Sequence, residues 1–468
     1  MNDLLARHPP ASVAIVDADR GAETSYGELL DRVARTADCL RREVGRGLVF
    51  QVATNTPPSI VVYLACLELG SPVVLMEPGL AEWWGRLVEA YDPDAVLAPE
   101  GVELPAAVRP GGTAADGAYR IGLRRAPRAA RAPHRELALL LATSGSTGNP
   151  KLVRLARRNV LANAESIASY LALGPGERSM QSLPMHYSYG LSLVNSHLAA
   201  GATVVLTQHS FLRPEFWGAF DRTGCTSFAG VPYIYETLDR LRFDPGRHPS
   251  LRTMTQAGGG LRRDLIARFR ERAGAAGGRF FVMYGQTEAC ARISYVPWER
   301  LGDKIGSIGI PIPDGRLSLA PVEEGDQQEL VYYGPNVMLG YAESAEDLAA
   351  GDELKGTLRT GDLATVDDEG FFYLTGRLKR FAKLFGRRLS LDDVEKELEA
   401  RYPVHVAATD RAGQLLIYAA ARESVDLQGV RQYLARQLRV PPRSIRVDAI
   451  ASIPLTPSGK KDYKALAP

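Results

Sequence analysis

The sequence predicts an α/β fold: a large N-terminal domain of parallel-sheet βα subdomains plus a small β-rich subdomain, followed by a small α+β C-terminal domain. Three observations support this prediction. Helical and strand-like segments alternate up to Ile305 with short Gly or Pro breaks, as in βαβ units. After Ile305 short strands separated by turns take over. Beyond Arg377 a further helix and strand alternation of roughly ninety residues has the size of a domain. We therefore assign residues 1–377 to the large domain and 378–468 to the small one.

The N-terminal elements follow from apolar periodicity. Thr24 and Ser25 are possible cap residues for a helix whose apolar positions share one face, namely Leu29, Val33, Ala37 and Leu40. Residues 47–55 (GLVFQVATN) are predicted to form a buried strand, and residues 59–79 continue as helix, glycine stop, strand and turn. Residues 158–173 are the next clear helix. Further pairs of helix and strand follow up to residue 274.

The C-terminal elements are predicted in the same way. We expect helices at residues 389–403 and 425–438, and strands at residues 405–410, 414–420 and 444–454. No period of 20–50 residues repeats along the chain, which argues against solenoids and propellers.

Composition excludes several classes of protein. The 468 residues carry a net charge of +2, so no global field favours nucleic acid or an anionic membrane. No apolar run approaches the ~18 residues that a membrane span requires. The four cysteines (Cys39, Cys66, Cys225 and Cys290) form no CxxC pair, and the N-terminus lacks a signal pattern. We expect a reduced, cytoplasmic protein without a membrane span or a nucleic-acid partner.

Residues 139–153 (LLLATSGSTGNPKLV) have the pattern of a strand that enters a phosphate-binding loop. Glycines let backbone N–H groups approach an anion, while hydroxyl groups and a lysine supply further donors. Lys151 follows Gly148 by three positions with no Ser or Thr after it, so this is not a Walker A loop. The alternative is a flexible turn. The candidate phosphate ligands are Thr143, Ser144, Gly145, Ser146, Thr147, Gly148 and Lys151.

Three further stretches follow in order: VMYGQTEA at 282–289, LRTGDLATVDDEGFFYLTGRLKRFAKLFG at 358–386 and PLTPSGKKDYKAL at 454–466. Together with the loop they resemble the adenylate-forming (AMP-binding) superfamily of acyl- and aryl-CoA synthetases, luciferases and peptide-synthetase adenylation domains. The resemblance covers nearly the whole chain. It implies an ATP- and Mg²⁺-dependent ligase that activates a carboxylic acid as an acyl-adenylate, releases pyrophosphate and transfers the acyl group to a thiol of CoA or a carrier protein. It also implies that the C-terminal domain is a mobile lid.

The resemblance assigns the nucleotide site. The loop would bind the β- and γ-phosphates, Thr287 would contact phosphate and Glu288 would bind Mg²⁺, a cation that prefers such oxygen ligands. The adenine ring would stack on Tyr284, and its edge would meet Ala257, Gly258 and Gly259. Asp362 would accept the ribose hydroxyl groups, and Arg377 would contact the ribose or a phosphate. The alternatives are a surface carboxylate for Glu288, core packing for Tyr284 and a turn for Asp362.

The resemblance also assigns the lysines of the small domain. Lys460 would reach the substrate carboxylate and the α-phosphate, where its charge offsets the charge that builds as pyrophosphate leaves. Lys461 follows directly and could be confused with it. Lys379 falls at the hinge position, and Lys383 and Gly386 match the loop that serves the second half-reaction. A solvated basic hairpin is the alternative for Lys383.

Residues 184–198 (PMHYSYGLSLVNSHL) line the acid pocket in the family, which commonly has a histidine where Tyr187 stands here. We assign Tyr187 to the pocket and leave His186 between a pocket wall and a buried structural histidine. The further wall candidates are Asn195, Trp217, Phe228, Gly230 and Gln256. The density of Tyr and Phe residues suggests an aromatic or flat acid, although an acyl chain also fits.

The sequence does not identify the acceptor of the activated group. CoA, a carrier protein or an amine could receive the activated group, and nitrite-dependent diazotisation would use the same adenylate chemistry. A non-catalytic nucleotide-binding protein is a further alternative. The presence of Glu288, Asp362 and Lys460 argues against it.

Overall fold

The alternating segments build two mixed sheets in the first part of the chain. The computed structural model describes residues 2–79, 81–125, 132–142, 151–322, 327–378, 380–384, 387–411, 414–421, 425–438, 440–456, 461–463 and 465–466. The chain divides into a first unit, Met1–Arg316 with Tyr332–Leu358, and a second unit, Leu317–Val331 with Arg359–Pro468. The predicted domain boundary after Arg377 is the point about which a lid domain would rotate. It stays a prediction.

The helices and strands of the first unit alternate as predicted. Its α-helices are α1 (Asn2–Leu5), α2 (Tyr26–Glu43), α3 (Pro57–Leu69), α4 (Ala81–Tyr91), α5 (Arg157–Tyr170), α6 (Ser188–Ala199), α7 (Pro214–Arg222), α8 (Pro232–Arg240) and α9 (Arg263–Ala275). Short 3₁₀ helices lie at Pro245–Arg247, Thr287–Ala289, Trp298–Arg300 and Glu346–Ala349.

Its strands are β1 (Val13–Asp17), β2 (Ala22–Ser25), β3 (Val49–Val52), β4 (Val73–Met76), β5 (Ala95–Pro99), β6 (Val108–Ala114), β7 (Tyr119–Arg124), β8 (Leu137–Ala142), β9 (Leu152–Ala156), β10 (Arg178–Met180), β11 (Thr203–Leu206), β12 (Ser227–Gly230), β13 (Thr253–Gln256), β14 (Arg279–Tyr284), β15 (Ser294–Tyr295) and β16 (Ile310–Pro311). β19 (Gly340–Ala342) also belongs to the first unit, whereas β17 (Arg316–Pro321), β18 (Gln328–Tyr333) and β20 (Thr357–Val366) lie mostly in the second.

Over the described residues, the first sheet has the order β16-β15-β14-β13-β12-β10-β11-β1-β2, and the strands from β14 to β1 in this order are parallel. The second sheet has the order β19-β9-β8-β4-β3-β5-β7-β6, with a parallel centre from β8 to β5. In the first sheet Gly230 pairs with Gln256, and Gln256 pairs with Val282. The loops after these strands therefore meet at one edge, where open α/β sheets bind ligands.

Local signals account for the helix ends. Ser25 caps α2 through a capping box, in which its side chain accepts from the Glu28 N–H and the Glu28 carboxylate accepts from the Ser25 N–H. Helix α5 ends at Tyr170, earlier than residue 173, because Ala172 takes a left-handed φ of 54° that an α-helix does not accommodate.

The second unit contains β21 (Phe372–Arg377), β22 (Phe381–Leu384), β23 (Arg387–Ser390), α10 (Leu391–Arg401), β24 (Val404–Arg411), β25 (Gln414–Ala421), α11 (Leu427–Leu438) and β26 (Ile445–Ala449), with a 3₁₀ turn at Pro442–Ser444. Of these, α10, β24, β25, α11 and β26 correspond to the predicted C-terminal elements, and β26 is shorter than the strand predicted at residues 444–454. The sheet β17-β18-β20-β21, the hairpin β22-β23 and the sheet β24-β25-β26 make up its β structure. Val394, Leu398, Ile417 and Leu434 belong to one buried cluster between α10, α11 and β25.

A search of the described helices for a bilayer-spanning segment found no helix with the required length and apolar character.

Candidate active site

The loop that follows β14 carries the YGQTE sequence and is closed at its base. A Cβ on Gly285 would lie 1.9 Å from the carbonyl oxygen of Ala291, so only glycine allows the two chain segments to approach in this way. Cys290 and Ala291 have φ values of 53° and 103°. Such left-handed conformations are costly for residues other than glycine and are concentrated at functional sites.

Glu288 and Lys151 are brought together by Tyr341, a residue that the sequence did not single out. The Tyr341 hydroxyl donates to Glu288 Oε1 over 2.8 Å, and Lys151 Nζ lies 3.6 Å from the centre of the Tyr341 ring. Burial raises the pKa of Tyr341 and the neighbouring Glu288 raises it further, so the phenol stays protonated and keeps donating. The structure thus places the lysine after the predicted phosphate loop beside the predicted Mg²⁺ ligand.

The donor set at Glu288 fits a magnesium ion. Mg²⁺ in proteins is bound through one or two carboxylates and keeps several waters or phosphate oxygens as its other ligands. Within the described residues, no group of three or more His, Cys, Asp or Glu side chains is arranged to hold a metal by itself. Thr287 lies next to Glu288, and its hydroxyl is 3.2 Å from Ser188 Oγ at the start of α6. Ser188 is a second residue near the motif that the sequence did not single out.

Tyr187 and Gly258, predicted for the acid pocket and the adenine edge, are in contact. The Tyr187 hydroxyl lies 2.6 Å from the point where a Cβ on Gly258 would be, and Gly258 has a φ of 85°. Burial raises the pKa of Tyr187 to about 12, so it is a neutral phenol. Gln256 is buried, and its Nε2 donates to the Gly259 carbonyl over 2.8 Å, which holds the turn after β13 in place. The Ala257 N–H donates to the Gly230 carbonyl.

Tyr284 ends β14 and is partly exposed. Its hydroxyl accepts a hydrogen bond from Gln286 Nε2 over 3.2 Å. Its stacking on adenine stays a prediction.

Packing accounts for several of the predicted wall residues. A Cβ on Gly230 would lie 2.8 Å from the Tyr235 ring, so this glycine makes room for α8. Phe228 and Trp217 have ring centres 5.2 Å apart in an aromatic cluster that includes Phe216. Asn195 is buried and lines a small cavity between α5, α6 and β8. Their contact with substrate stays a prediction.

His186 lies beside a carboxylate. Its Nε2 is 3.9 Å from Oε2 of Glu77, the residue after β4. Burial lowers the pKa of His186 to about 4 and raises the pKa of Glu77, so the histidine is neutral near pH 7. A hydrogen bond with the backbone of Ala53 offsets part of this effect of burial on the pKa of His186. The imidazole is therefore a neutral group in a poorly hydrated position.

In the second unit, the predicted ribose ligands Asp362 and Arg377 face each other across β20 and β21. They are paired in register, and Arg377 Nε donates to Asp362 Oδ1 over 2.9 Å. Asp362 is 2% exposed, whereas the Arg377 side chain is 58% exposed. The aspartate is thus fixed by the fold, and the arginine covers it from the solvent side.

Lys461 is fully engaged by the second unit. Its Nζ donates to Glu395 Oε2 over 2.8 Å, to Glu399 Oε1 over 3.0 Å and to the Val406 carbonyl over 2.6 Å. Burial lowers the pKa of Lys461, but Glu395 and Glu399 raise it to a net value above that of a free lysine. An ammonium group has three donors, and all three are used. Lys461 is therefore an anchor within the second unit.

Arg380 binds the same carboxylate as Lys461. Its Nη2 donates to Glu395 Oε1 over 2.7 Å, and its guanidinium lies 3.7 Å above the ring of Tyr463. The Tyr463 hydroxyl in turn donates to Glu395 Oε2 over 3.1 Å. Glu395 thus joins the segment after residue 379 to the segment after residue 460.

A family model described as "AMP-binding enzyme" matches residues 3–342. The chain belongs to the AMP-binding enzyme family. Membership confirms the predicted superfamily, the α/β fold class and the enzyme class, an AMP-forming ligase.

Two relatives are similar in sequence over more than two thirds of this chain. Feruloyl-CoA synthase from Amycolatopsis sp is 29% identical over 482 residues, which cover 97% of this chain and 95% of that protein. Sulfoacetate–CoA ligase from Cupriavidus necator is 32% identical over 340 residues, which cover 69% of this chain and 65% of that protein.

Solved structures agree in fold. The o-succinylbenzoate CoA synthetase from Bacillus subtilis, in complex with its acyl-adenylate intermediate, has a TM-score of 0.78 and 22% identity, over 100% of this chain and 97% of that one. A structure of the same synthetase holds ATP and a magnesium ion. The amide bond synthetase from Marinactinospora thermotolerans has a TM-score of 0.77 and 23% identity, over 99% of this chain and 98% of that one.

Some residues predicted for this AMP-binding enzyme lie outside the described residues. They are Thr143, Ser144, Gly145, Ser146, Thr147, Gly148, Lys379, Gly386 and Lys460. Lys383 lies on β22, paired with Arg388 on β23. The roles of all these residues stay predictions.

Proposed function

We propose that this AMP-binding enzyme uses ATP and Mg²⁺ to convert a carboxylic acid to its acyl-adenylate and then to a CoA thioester. The observation that carries the proposal is that Tyr341 contacts both Lys151, through its ring, and Glu288, through its hydroxyl. In this arrangement a cation and a carboxylate share one tyrosine, and Lys151 follows in sequence the loop that is predicted to hold the triphosphate. Such a reaction depends on positioning and electrostatics.

Each residue has a role in this scheme. Lys151 contacts the β- and γ-phosphates together with the loop, and Glu288 holds Mg²⁺, which neutralises phosphate charge. Asp362 accepts the ribose hydroxyls, because a carboxylate receives two donors well. Lys460 stabilises the charge that develops when the acid oxygen attacks the α-phosphorus and pyrophosphate leaves. The exclusion of Lys461 by its three hydrogen bonds supports this choice of lysine.

We propose CoA as the acceptor, ahead of a carrier protein or an amine. The relatives named above are a feruloyl-CoA synthase and a sulfoacetate–CoA ligase, and both names specify a CoA product. After adenylation, the segment with Lys383 would serve thioester formation. We also propose a cytoplasmic location, in keeping with a substrate set of ATP and CoA.

The test is ATP–pyrophosphate exchange with a panel of aromatic and aliphatic acids, followed by product analysis with CoA. We expect acid-dependent exchange in the wild type and a loss of roughly 10²–10³ in rate in Glu288→Ala. Absence of acid-dependent exchange and of AMP formation with every acid would contradict the proposal. If exchange occurs but the activated group is released only to an amine or to nitrite, the acceptor assignment is wrong.

A further inference from the structure

Arg292 is a buried arginine of the first unit. It is 1% exposed, and its Nη1 donates to the Ala291 carbonyl over 3.3 Å. Its buried Nε has no hydrogen-bond partner in the part of the chain that the structure describes. Among the described residues no carboxylate lies within ion-pair distance of it. Its guanidinium lies 4.0 Å above the centre of the Tyr189 ring.

Arg154, the other large buried arginine of the first unit, shows what a structural role requires. Its Nη2 lies 2.9 Å from Glu353 Oε2, and its Nε donates to the Tyr341 carbonyl over 2.9 Å. Its Nη1 donates to the carbonyl of Ala350. A buried cation is normally paired and hydrogen-bonded in this manner. The neighbours of the Arg292 guanidinium are the ring of Tyr189 and the hydroxyl of Tyr170, which accepts a hydrogen bond from it. These contacts offset only part of the cost of burying a cation, and within the described residues Nε of Arg292 has no hydrogen-bond partner.

The backbone of Arg292 is held firmly. Asn336 Nδ2 donates to its carbonyl over 2.8 Å, and Asn163 Nδ2 does so over 3.3 Å. The preceding residue, Ala291, is one of the two left-handed residues of the YGQTE loop. The side chain is thus directed by a fixed and strained backbone four residues after Glu288.

The side chain of Arg292 is directed toward the residues predicted to line the acid pocket. The ring of Tyr189, on which it lies, is 6.4 Å from the ring of Tyr187 in an edge contact. Tyr187 in turn contacts Gly258. Tyr189 is fixed by its hydroxyl, which donates to the Thr255 carbonyl over 3.0 Å. Arg292, Tyr189 and Tyr187 therefore form one continuous layer.

We propose that Arg292 binds an anionic group at the non-reacting end of the acid, so that the substrate is an acid with a second negative group, a carboxylate or a sulfonate. The inference rests on the function proposed above. A planar guanidinium matches a two-oxygen anion through paired hydrogen bonds, and the Nε–H of Arg292 is a donor without a partner among the described residues. Tyr189 covers one face of the guanidinium, so the anion would approach along its edge.

The experiment compares matched acids that differ in one charge: terephthalate and 4-sulfobenzoate against 4-methylbenzoate, and glutarate against pentanoate. Binding is measured by calorimetry in the presence of ATP and Mg²⁺, and turnover by pyrophosphate exchange. We expect a doubly charged acid to bind the wild type roughly 100-fold more tightly than its singly charged match. Arg292→Met should abolish this difference in affinity. Arg292→Lys should restore part of it, because a lysine keeps the positive charge but lacks the paired N–H donors of a guanidinium.

Arg222→Met, at the exposed end of α7, is the control and should leave the preference unchanged. Thermal melting of each variant reports on folding; Arg292→Met should melt no lower than the wild type, since it removes an unpaired buried charge. Equal binding of the matched acids to the wild type, or an unchanged preference in a folded Arg292 variant, would overturn the inference. The binding measurement does not depend on turnover. A failure of exchange alone would therefore count against the proposed function and not against the anion site.

Discussion

Tyr341 joins the phosphate side of the site to the metal side through one hydroxyl and one ring face. Tyr341→Phe keeps the ring under Lys151 but removes the hydrogen bond to Glu288. Because that bond fixes the carboxylate, we expect the Mg²⁺ concentration for half-maximal pyrophosphate exchange to rise about tenfold, the effect of one hydrogen bond to a charged group.

Tyr91→Phe is the matched control for this change. The Tyr91 hydroxyl donates to the carbonyl of Ala342, the residue next to Tyr341, over 2.7 Å. Its loss should lower the melting temperature without altering the Mg²⁺ dependence. An unchanged Mg²⁺ dependence in Tyr341→Phe would show that Glu288 is not oriented by this tyrosine.

Lys460 and Lys461 are neighbours with opposite expected roles. Lys460→Ala should reduce adenylate formation by roughly 10²–10³, about 3–4 kcal/mol, with little change in stability, while a preformed acyl-adenylate still reacts onward. Lys461→Ala should lower the free energy of unfolding by about 2 kcal/mol, because Glu395 and Glu399 lose their shared cation. Pyrophosphate exchange and denaturant unfolding of both variants make the comparison. If Lys461→Ala is folded, of normal stability and inactive, the assignment of the catalytic lysine is reversed.

At the scale of the element, the YGQTE loop depends on the close approach at Gly285. Gly285→Ala would force the backbone near Ala291 to move, since a contact of 1.9 Å is impossible. We expect loss of exchange activity together with a drop in melting temperature. Gly274→Ala in α9 is the control: its Cβ would meet Trp298 at 3.6 Å, an ordinary contact, and should stabilise the helix by roughly 0.5–1 kcal/mol. Normal activity in Gly285→Ala would mean that the loop tolerates a different closure.

The elements were largely predictable, because their signals are local. Ser25 and Glu28 mark the start of α2, and apolar spacing marked α10 and α11 within a few residues. Tyr341 was not predictable, since its role arises from the pairing of β19 with β9, which joins residues far apart in the sequence. The same holds for Arg292, whose Nε has no hydrogen-bond partner among the described residues, a fact that becomes visible only when its neighbours are known. Gly230 shows the converse: its missing side chain makes room for Tyr235, a packing role that the sequence did not indicate, while its contact with substrate stays a prediction.

At the scale of the whole molecule, we predict that the two half-reactions require different positions of the small domain, with the change at Lys379. Lys379→Pro would fix φ near −65° and remove an N–H. We expect it to spare one half-reaction and stop the other. Pyrophosphate exchange is measured beside overall thioester formation, with Lys379→Ala as the control. Equal losses in both assays, or none in either, would argue against alternation about this residue and against the role of Lys383.

The sharing of Glu395 has a consequence for any such movement. Arg380 comes directly after residue 379 and Lys461 directly after residue 460, and one buried carboxylate holds both of them. The two chain segments therefore cannot shift independently without leaving a charge unpaired inside the domain. A change of the backbone angles at residue 379 would therefore move the segment that contains Lys461 together with Arg380. The position of the neighbouring lysine would then be determined by a backbone angle eighty residues earlier in the chain, roughly one domain length.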